Sequence, residues 1–504
     1  MHKIIRKVAS LFAKRTGQDE RLAFVESAAS TSHLSAKHAI PEVISRREHG
    51  ISRKHIDKSA LDVLYGLKRG GYDAYLVGGA IRDLLLGIMP KDFDVVTNAR
   101  PEEVKKVFKA RCRLIGRRFR LAHVRFGRDV IEVATFRGQA ETVVQKKESF
   151  KFGFGRRGKH RSLEGREVDE HGRLIRDNVY GTIDEDVWRR DFTINALYYN
   201  IHNFSVVDYV GGVADIQKRQ IRLIGDPEQR YREDPVRMIR AVRFAAKLGF
   251  EIETATQAPI QKLGHLLQEV SHARLFEEVL KLFHSGVALK VYQQLQAQGL
   301  FQYLFPLTAT LIAAEKAGAA SNEVTEKIVL EALKSTDRRI QEGKSVNPAF
   351  LFTAMLYQPM LIRQALLQEE GLAPQEAFYA AAHEILDKQN FATAIPKRFQ
   401  SQIKEIWSLQ HRLQHRRGER AHRLREHPRF RAAYDFLGIR VAAGDETVSE
   451  LFDWWTHYQT LEPLEQVAFA NEVAATKPRK RRKSRKNRNI YRKRRLASDS
   501  QTSL

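Results

Sequence analysis

Apolar residues recur at helical spacing at Leu61, Leu64, Tyr65 and Leu67, which predicts a helix over Ser59–Leu67 that the pair Gly70-Gly71 ends. The run Tyr75, Leu76, Val77 then predicts a strand leading straight into a second glycine pair, Gly78-Gly79. Pro101 opens a helix over EEVKKVF. After it LIGRRF, LAHVRF and DVIEVATF read as strands, the last alternating Val130, Glu132 and Ala134 against Ile131, Val133 and Thr135. Helices and strands alternating in this way predict a mixed α/β region. Residues 138–176 break the pattern with clustered Lys, Arg and Gly, the signature of a long mobile insertion. Beyond about residue 215 strand signals fade and helical patterns dominate to about residue 440. The first of these helices is marked at both ends: Asp234-Pro235 supplies a cap and a first-turn proline, and VRMIRAVRFAAKL runs to Gly249.

The pattern divides the chain into a basic, loosely ordered leader (1–50), a mixed α/β head (51–215), a helical neck (216–305), a helical body (306–440) and a C-terminal region (441–504). The fold class is α+β, with order expected to begin near Ile51. Within the leader, MHKIIRKVASLFAKR reads as a short basic amphipathic helix, solvated or weakly bound to a membrane surface. Within the C-terminal region, KPRKRRKSRKNRNIYRKRR (477–495) holds Ile490 and Tyr491 as its only large apolar residues, so it builds no core and is expected to order only on an anionic partner.

Composition sharpens the partner. A formal net charge of +26 on 504 residues points to a polyanion, with nucleic acid first. No stretch approaches the roughly 18–20 apolar residues of a membrane span. The lone Cys112 excludes an intrachain disulfide and a cysteine-based zinc site, which fits a reducing cytoplasm.

The densest chemistry lies in YLVGGAIRDLLLGIMPKDFDVV (75–96). Asp92 and Asp94 flank Phe93 in a β-rich context, where side chains two apart share a face, so both carboxylates reach one pair of hard cations. Gly78 and Gly79 lack Cβ atoms, which lets backbone N–H groups approach phosphate oxygens. A third carboxylate commonly completes such a site; Glu132 and Asp191 are the candidates, and spacing does not decide between them. The formal GxGxxG at Gly153–Gly158 has no strand before it and no helix after it, so it reads as a basic phosphate-contacting loop and not as a dinucleotide site.

Six segments together resemble the class II nucleotidyltransferases, the group containing bacterial poly(A) polymerases and tRNA CCA-adding enzymes. They are LVGGAIRDLLLG (76–87), DFDVVTNARPEEV (92–104), RRDFTINALYYN (189–200), DYVGGVADI (208–216), IRLIGDPEQRYREDPVRMIRAVRFAAKL (221–248) and ARLFEEVLKLF (273–283). The resemblance implies a catalytic head at 51–215, a base-reading element in the neck and RNA binding by the body and tail. It makes Asp92 and Asp94 the metal-binding carboxylates, with Mg²⁺ as cofactor, and counts Asp191 with the catalytic set. Gly78, Gly79 and Arg82 match the triphosphate-handling loop, and Asp234 with Arg237 matches the element that reads the incoming base. On chemistry alone, Asp234 serves equally as a helix cap.

Two features resemble the poly(A) polymerases of that group, and the resemblance implies adenylate addition: LIGRRFRLAHV (114–124), similar to the element that distinguishes them from CCA-adding enzymes, and the helical body with its basic tail, including HPRFRAAYDFLGIR (427–440). Arg429 and Phe430 there pair a cation with an aromatic ring, as single-strand binders do, although Phe430, Tyr434 and Phe436 equally suit a helix core. The implied activity is template-independent transfer of AMP from ATP to RNA 3′ ends, a poly(A) tail synthesis that promotes RNA turnover, with RNA-decay or RNA-chaperone proteins as candidate partners. CCA addition to tRNA is the same-fold alternative, and a non-catalytic RNA-associated protein the alternative of another class.

Overall fold

A computed structural model describes residues 40–116, 120–138, 166–168, 174–177, 180–318 and 324–475. The N-terminal amphipathic segment, the GxGxxG and the 477–495 tail lie outside the described residues. The chain forms two compact units, one built from residues 1–313, 333–346 and 387–395, the other from 314–332, 347–386 and 396–504.

The first unit is organised by an eight-stranded sheet. Its strands are β1 (Glu42–Ile44), β2 (Ala74–Val77), β3 (Asp94–Thr97), β4 (Cys112–Ile115), β5 (Leu121–Phe126), β6 (Asp129–Thr135), β9 (Leu197–Asn200) and β10 (Val206–Asp208); β7 (Arg166–Val168) and β8 (Leu174–Asp177) pair separately as a hairpin. The order is β1-β10-β9-β2-β3-β6-β5-β4, antiparallel except for the parallel pair β3–β6. Order therefore begins earlier than Ile51. A three-residue strand carries no periodic signal of its own, and β1 exists through its pairing with β10.

The predicted helices form where the apolar spacing places them. Helix α1 (Lys58–Arg69) is capped by Asp57, whose Oδ1 accepts the Ser59 N–H at 2.7 Å. It buries Ala60, Val63, Leu64 and Leu67 against β2, β3 and β6, and Gly71 (φ +83°) turns the chain after it. Helix α2 (Gly79–Leu85) follows β2, and α3 (Pro101–Phe108) crosses over between β3 and β4 and packs on β4 and β5. These helices leave part of the opposite sheet face open at β3, β6, β5 and β4, where Asp94, Glu132, Arg113 and Arg125 are exposed.

Helix α4 (Ile183–Trp188) precedes the turn Thr193–Asn195, and α5 (Gly212–Gln217) packs on that turn. Helices α6 (Pro227–Glu233) and α7 (Val236–Leu248) follow. Asp234 ends α6, and the N-cap of α7 is Pro235, one residue later than the sequence suggests; Asp234 Oδ1 still accepts the Val236 N–H at 3.3 Å, and Gly249 (φ +67°) ends α7. Phe244 of α7 meets Phe192 edge to face at 5.6 Å. Helix α8 (His272–Phe283) packs against α7.

In the second unit, α9 (Pro348–Glu369), α10 (Lys397–Arg412), α11 (Phe430–Ala442) and α12 (Ser449–Thr460) share an aromatic core. Phe430 packs on Trp455 at 5.1 Å, Phe436 is fully buried and packs on Tyr357 at 4.9 Å, and Arg429 pairs with Glu405. Phe430 and Phe436 are core residues, so the Arg429-Phe430 pair does not offer a free ring for stacking a base. Among the described residues no helix is long and apolar enough to cross a membrane.

Candidate active site

The site is assembled where β2, β3 and β6 lie side by side. Phe93 is buried while Asp92 and Asp94 are exposed, so the two carboxylates share the open side as alternation requires. Asp94 begins β3, opposite Val77 on one side and Glu132 on the other. The Asp94 carboxyl is held above the ordinary aspartate range, first because surrounding protein withdraws hydration from it, then because Glu132 and Asp92 repel its charge; Arg190 acts in the opposite sense. His123 of β5, opposite Glu132, lies 3.2 Å from Glu132 Oε1 through Nε2.

The glycine turn closes one edge. Gly78 has φ +76° and ψ −135°, a conformation essentially restricted to glycine. Its N–H faces Leu197 O at 3.4 Å, so the free donors of the turn are those that start α2, at Gly79 and Ala80. Arg82 is buried. Its Nε and Nη2 donate to Asp83 at 2.8 and 2.6 Å, and Nη1 donates to Asn195 Oδ1 at 2.7 Å. The arginine braces the turn from behind with these donors engaged.

RRDFTIN supplies the floor. Arg190 donates to Tyr198 Oη at 2.7 Å and to Asp186 Oδ2 at 2.8 Å, and Tyr198 donates to the same oxygen at 2.9 Å. Burial works against its charge, but Tyr198 and Asp186 outweigh that and keep it protonated. Asp191 is fully engaged: Arg240 of α7 donates to Oδ2 at 2.8 Å, and Phe192 N–H and Asn195 Nδ2 donate to Oδ1 at 2.8 and 3.2 Å. Burial alone would raise this carboxyl; Arg240 and the other donors hold it below the usual range. The base-reading candidates are also braced. Asp234 pairs with Arg274 at 2.7 Å, and Arg237 donates to Arg230 O at 2.7 Å and pairs with Glu233 at 3.1 Å.

All the predicted residues thus lie in the first unit; sequence reasoning gave no role to Arg190, Asn195, Tyr198 or Arg240, of which Asn195 and Arg240 tie Arg82 to Asp191 and Arg190 acts on Asp94. The first three stand inside the quoted RRDFTINALYYN segment and Arg240 inside the neck segment, but nothing local marks their partners. Among the described residues no group of three His, Cys, Asp or Glu is placed so as to hold a metal ion. Glu132 and Asp92 nonetheless both repel the charge of Asp94, so the three carboxylates form an acidic neighbourhood on the open side.

That repulsion has a measurable sign. A carboxyl whose pKa is raised on folding stabilises the fold below its unfolded value and loses that contribution as pH rises through the folded value. Above that window ionised Asp94 is a cost, so Asp94→Asn is expected to raise the melting temperature in chelator-treated buffer at neutral pH, with the gain vanishing near pH 3.5 to 4. The same variant is expected to lose any melting shift that a hard divalent cation gives the native protein. Identical melting profiles with pH would contradict this reading.

Comparison with known proteins agrees along the chain. Residues 74–222 match a model described as "Poly A polymerase head domain", 249–312 one described as "Probable RNA and SrmB- binding site of polymerase A", and 370–489 one described as "Polymerase A arginine-rich C-terminus". The chain is 47% identical over 481 residues to Poly(A) polymerase I of Salmonella typhi, spanning 95% of this chain and 97% of that protein. With the CCA-adding enzyme of Lactobacillus helveticus it shares 36% identity over 240 residues, 47% of this chain and 53% of that protein. A solved CCA-adding enzyme, apo form II, superposes with a TM-score of 0.53 over 84% of this chain and 88% of that one at 18% identity, a likeness of fold. The head with its glycine turn and paired aspartates, the α+β order and the near full-length identity converge: the chain belongs to the Poly(A) polymerase I family of class II nucleotidyltransferases.

Proposed function

We propose that this chain is a template-independent polynucleotide adenylyltransferase that joins AMP from ATP to RNA 3′ ends and so builds poly(A) tails that promote RNA turnover. The observation that carries the choice of adenylate is the reach of the similarity: it spans nearly the whole of the poly(A) polymerase I relative but about half of the CCA-adding one.

In the reaction the RNA 3′-oxygen forms a bond to the α-phosphorus of ATP, the bond to the β-phosphate oxygen breaks, pyrophosphate leaves and the hydroxyl proton is lost to solvent. Asp92 and Asp94, with Glu132 as third carboxylate, would hold Mg²⁺, which when bound supplies charge against the triphosphate and acidifies the attacking hydroxyl. Glu132 is favoured for that place because its strand pairs directly with that of Asp94, whereas Asp191 is committed to Arg240. Asp191 therefore acts by positioning α7 beneath the site. The N–H groups at the start of α2 face the phosphates, with Arg82 fixing the turn. Asp234 accepts from the exocyclic amine of adenine and Arg237 donates to the ring nitrogen beside it. The match over 249–312 supports RNA binding there; RNA-decay or RNA-chaperone proteins are proposed as further partners. A cytoplasmic location is proposed from the single Cys112.

Cytosine presents the same donor and acceptor to Asp234 and Arg237, which keeps CCA addition as the second reading. Incubation of the protein with a generic RNA, a tRNA lacking its CCA end, Mg²⁺ and each nucleotide alone separates them. Long tails from ATP on the generic RNA are expected; CTP incorporation that stops after a short addition to tRNA would overturn the proposal.

A further inference from the structure

The segment LIGRRFRLAHV contributes two strands to the open sheet face, and its described residues have a placement that the catalytic reading leaves unused. Cross-strand registers align Arg113 with His123, His123 with Glu132, and Glu132 with Asp94, one lateral row over β4, β5, β6 and β3. Arg125, two residues along β5 from His123, stands on the same face and diagonal to Arg113, beside the exposed Val130 of β6. Arg113 and Arg125 are both exposed, and among the described residues neither forms an ion pair or a side-chain hydrogen bond. One end of the row is therefore acidic; the other is cationic, with no carboxylate among the described residues paired to it. With strands about 4.8 Å apart, the arginine end lies roughly 10–15 Å from Asp94.

We infer that this face is the track on which the acceptor RNA approaches its 3′ end, its last phosphates held by Arg113 and Arg125 while His123 fixes the orientation of Glu132. The inference rests on the adenylyltransferase reading. A polyanion with a reactive end fits a strip whose charge changes sign over that distance: the backbone lies along the arginines, and the terminal hydroxyl arrives where carboxylates hold the metal. ATP has no need of the same strip, because its phosphates face the start of α2 on the other side of Asp94, next to β2. Two phosphate contacts from exposed arginines also predict a sequence-independent contribution, which suits an enzyme that copies no template.

The test is a pair of double variants, R113E/R125E and R113Q/R125Q, in the full chain. With an oligoadenylate primer the charge-reversed variant is expected to raise the KM for RNA about ten- to thirtyfold and to flatten the salt dependence of primer binding by a slope of about 1.4, two contacts at about 0.7 each. The neutral variant should show a smaller shift in the same direction, with melting temperature and the KM for ATP unchanged in both. An unchanged KM for primer, or a rise in the KM for ATP instead, would overturn the inference. Failure of the function itself reads differently, since it would appear as absent A-tailing by the native protein.

Discussion

Glu132→Gln is expected to lower kcat for adenylate transfer about a thousandfold, on the order of 4 kcal/mol of transition-state stabilisation, with little change in the KM for ATP. The side chain is half exposed, so the substitution leaves the fold intact. What it removes is one of the charges that suit the site to a cation while keeping nearly the same shape. Asp191→Asn provides the contrast. It breaks the ion pair to Arg240 and leaves a partly buried guanidinium without its carboxylate, so a lower melting temperature should accompany any loss of rate. Near-native kcat for Glu132→Gln, together with a thousandfold loss at native stability for Asp191→Asn, would move the third carboxylate to Asp191.

Gly212→Ala should be among the most destabilising single substitutions in the first unit, by about 3 kcal/mol or more. A Cβ at this position would stand 2.3 Å from the carbonyl oxygen of Thr193 and 3.1 Å from the Leu197 side chain. Neither can yield cheaply, because Thr193 begins the turn that carries Asn195, and Asn195 holds Arg82. Adenylation should fall with stability. Gly87→Ala is the control: unlike Gly212 it has a positive φ (+71°), but a Cβ there meets nothing within 4 Å, so the cost should be about 1 kcal/mol of backbone strain. Urea midpoints for the two variants decide the matter, and equal midpoints would show that packing against Thr193 is not what selects glycine.

These contrasts mark what was legible in the chain. Helices α1, α3 and α7 and the alternation of β6 could be read directly, because caps, glycine stops and apolar period act within a few residues. The exposure of Asp92 and Asp94 on either side of buried Phe93 was legible for the same reason. The nearness of Glu132 to Asp94 was not: it depends on β3 pairing in parallel with β6. The bracing of Arg82 was not legible either, because Asn195, which accepts from its Nη1, lies 113 residues along the chain. Strand β1 was invisible because its stability lies in β10, and Phe430 was ambiguous because helix periodicity does not distinguish a face turned to Trp455 from one turned to RNA.

The sheet order also constrains how the protein comes into being. Strand β2, which delivers the glycine turn, is paired on one side by nearby β3 but on the other by β9, which begins only at Leu197. A chain leaving the ribosome holds both aspartates and Glu132 well before that strand exists. Until it arrives, β2 is an uncovered edge with open backbone donors and acceptors, and Arg82 and Gly78 lack Asn195 and Leu197. Long-range pairing of this kind closes slowly. The catalytic pocket is thus among the last things the first unit completes, and an interrupted chain carries the reactive residues without the architecture that makes them an enzyme.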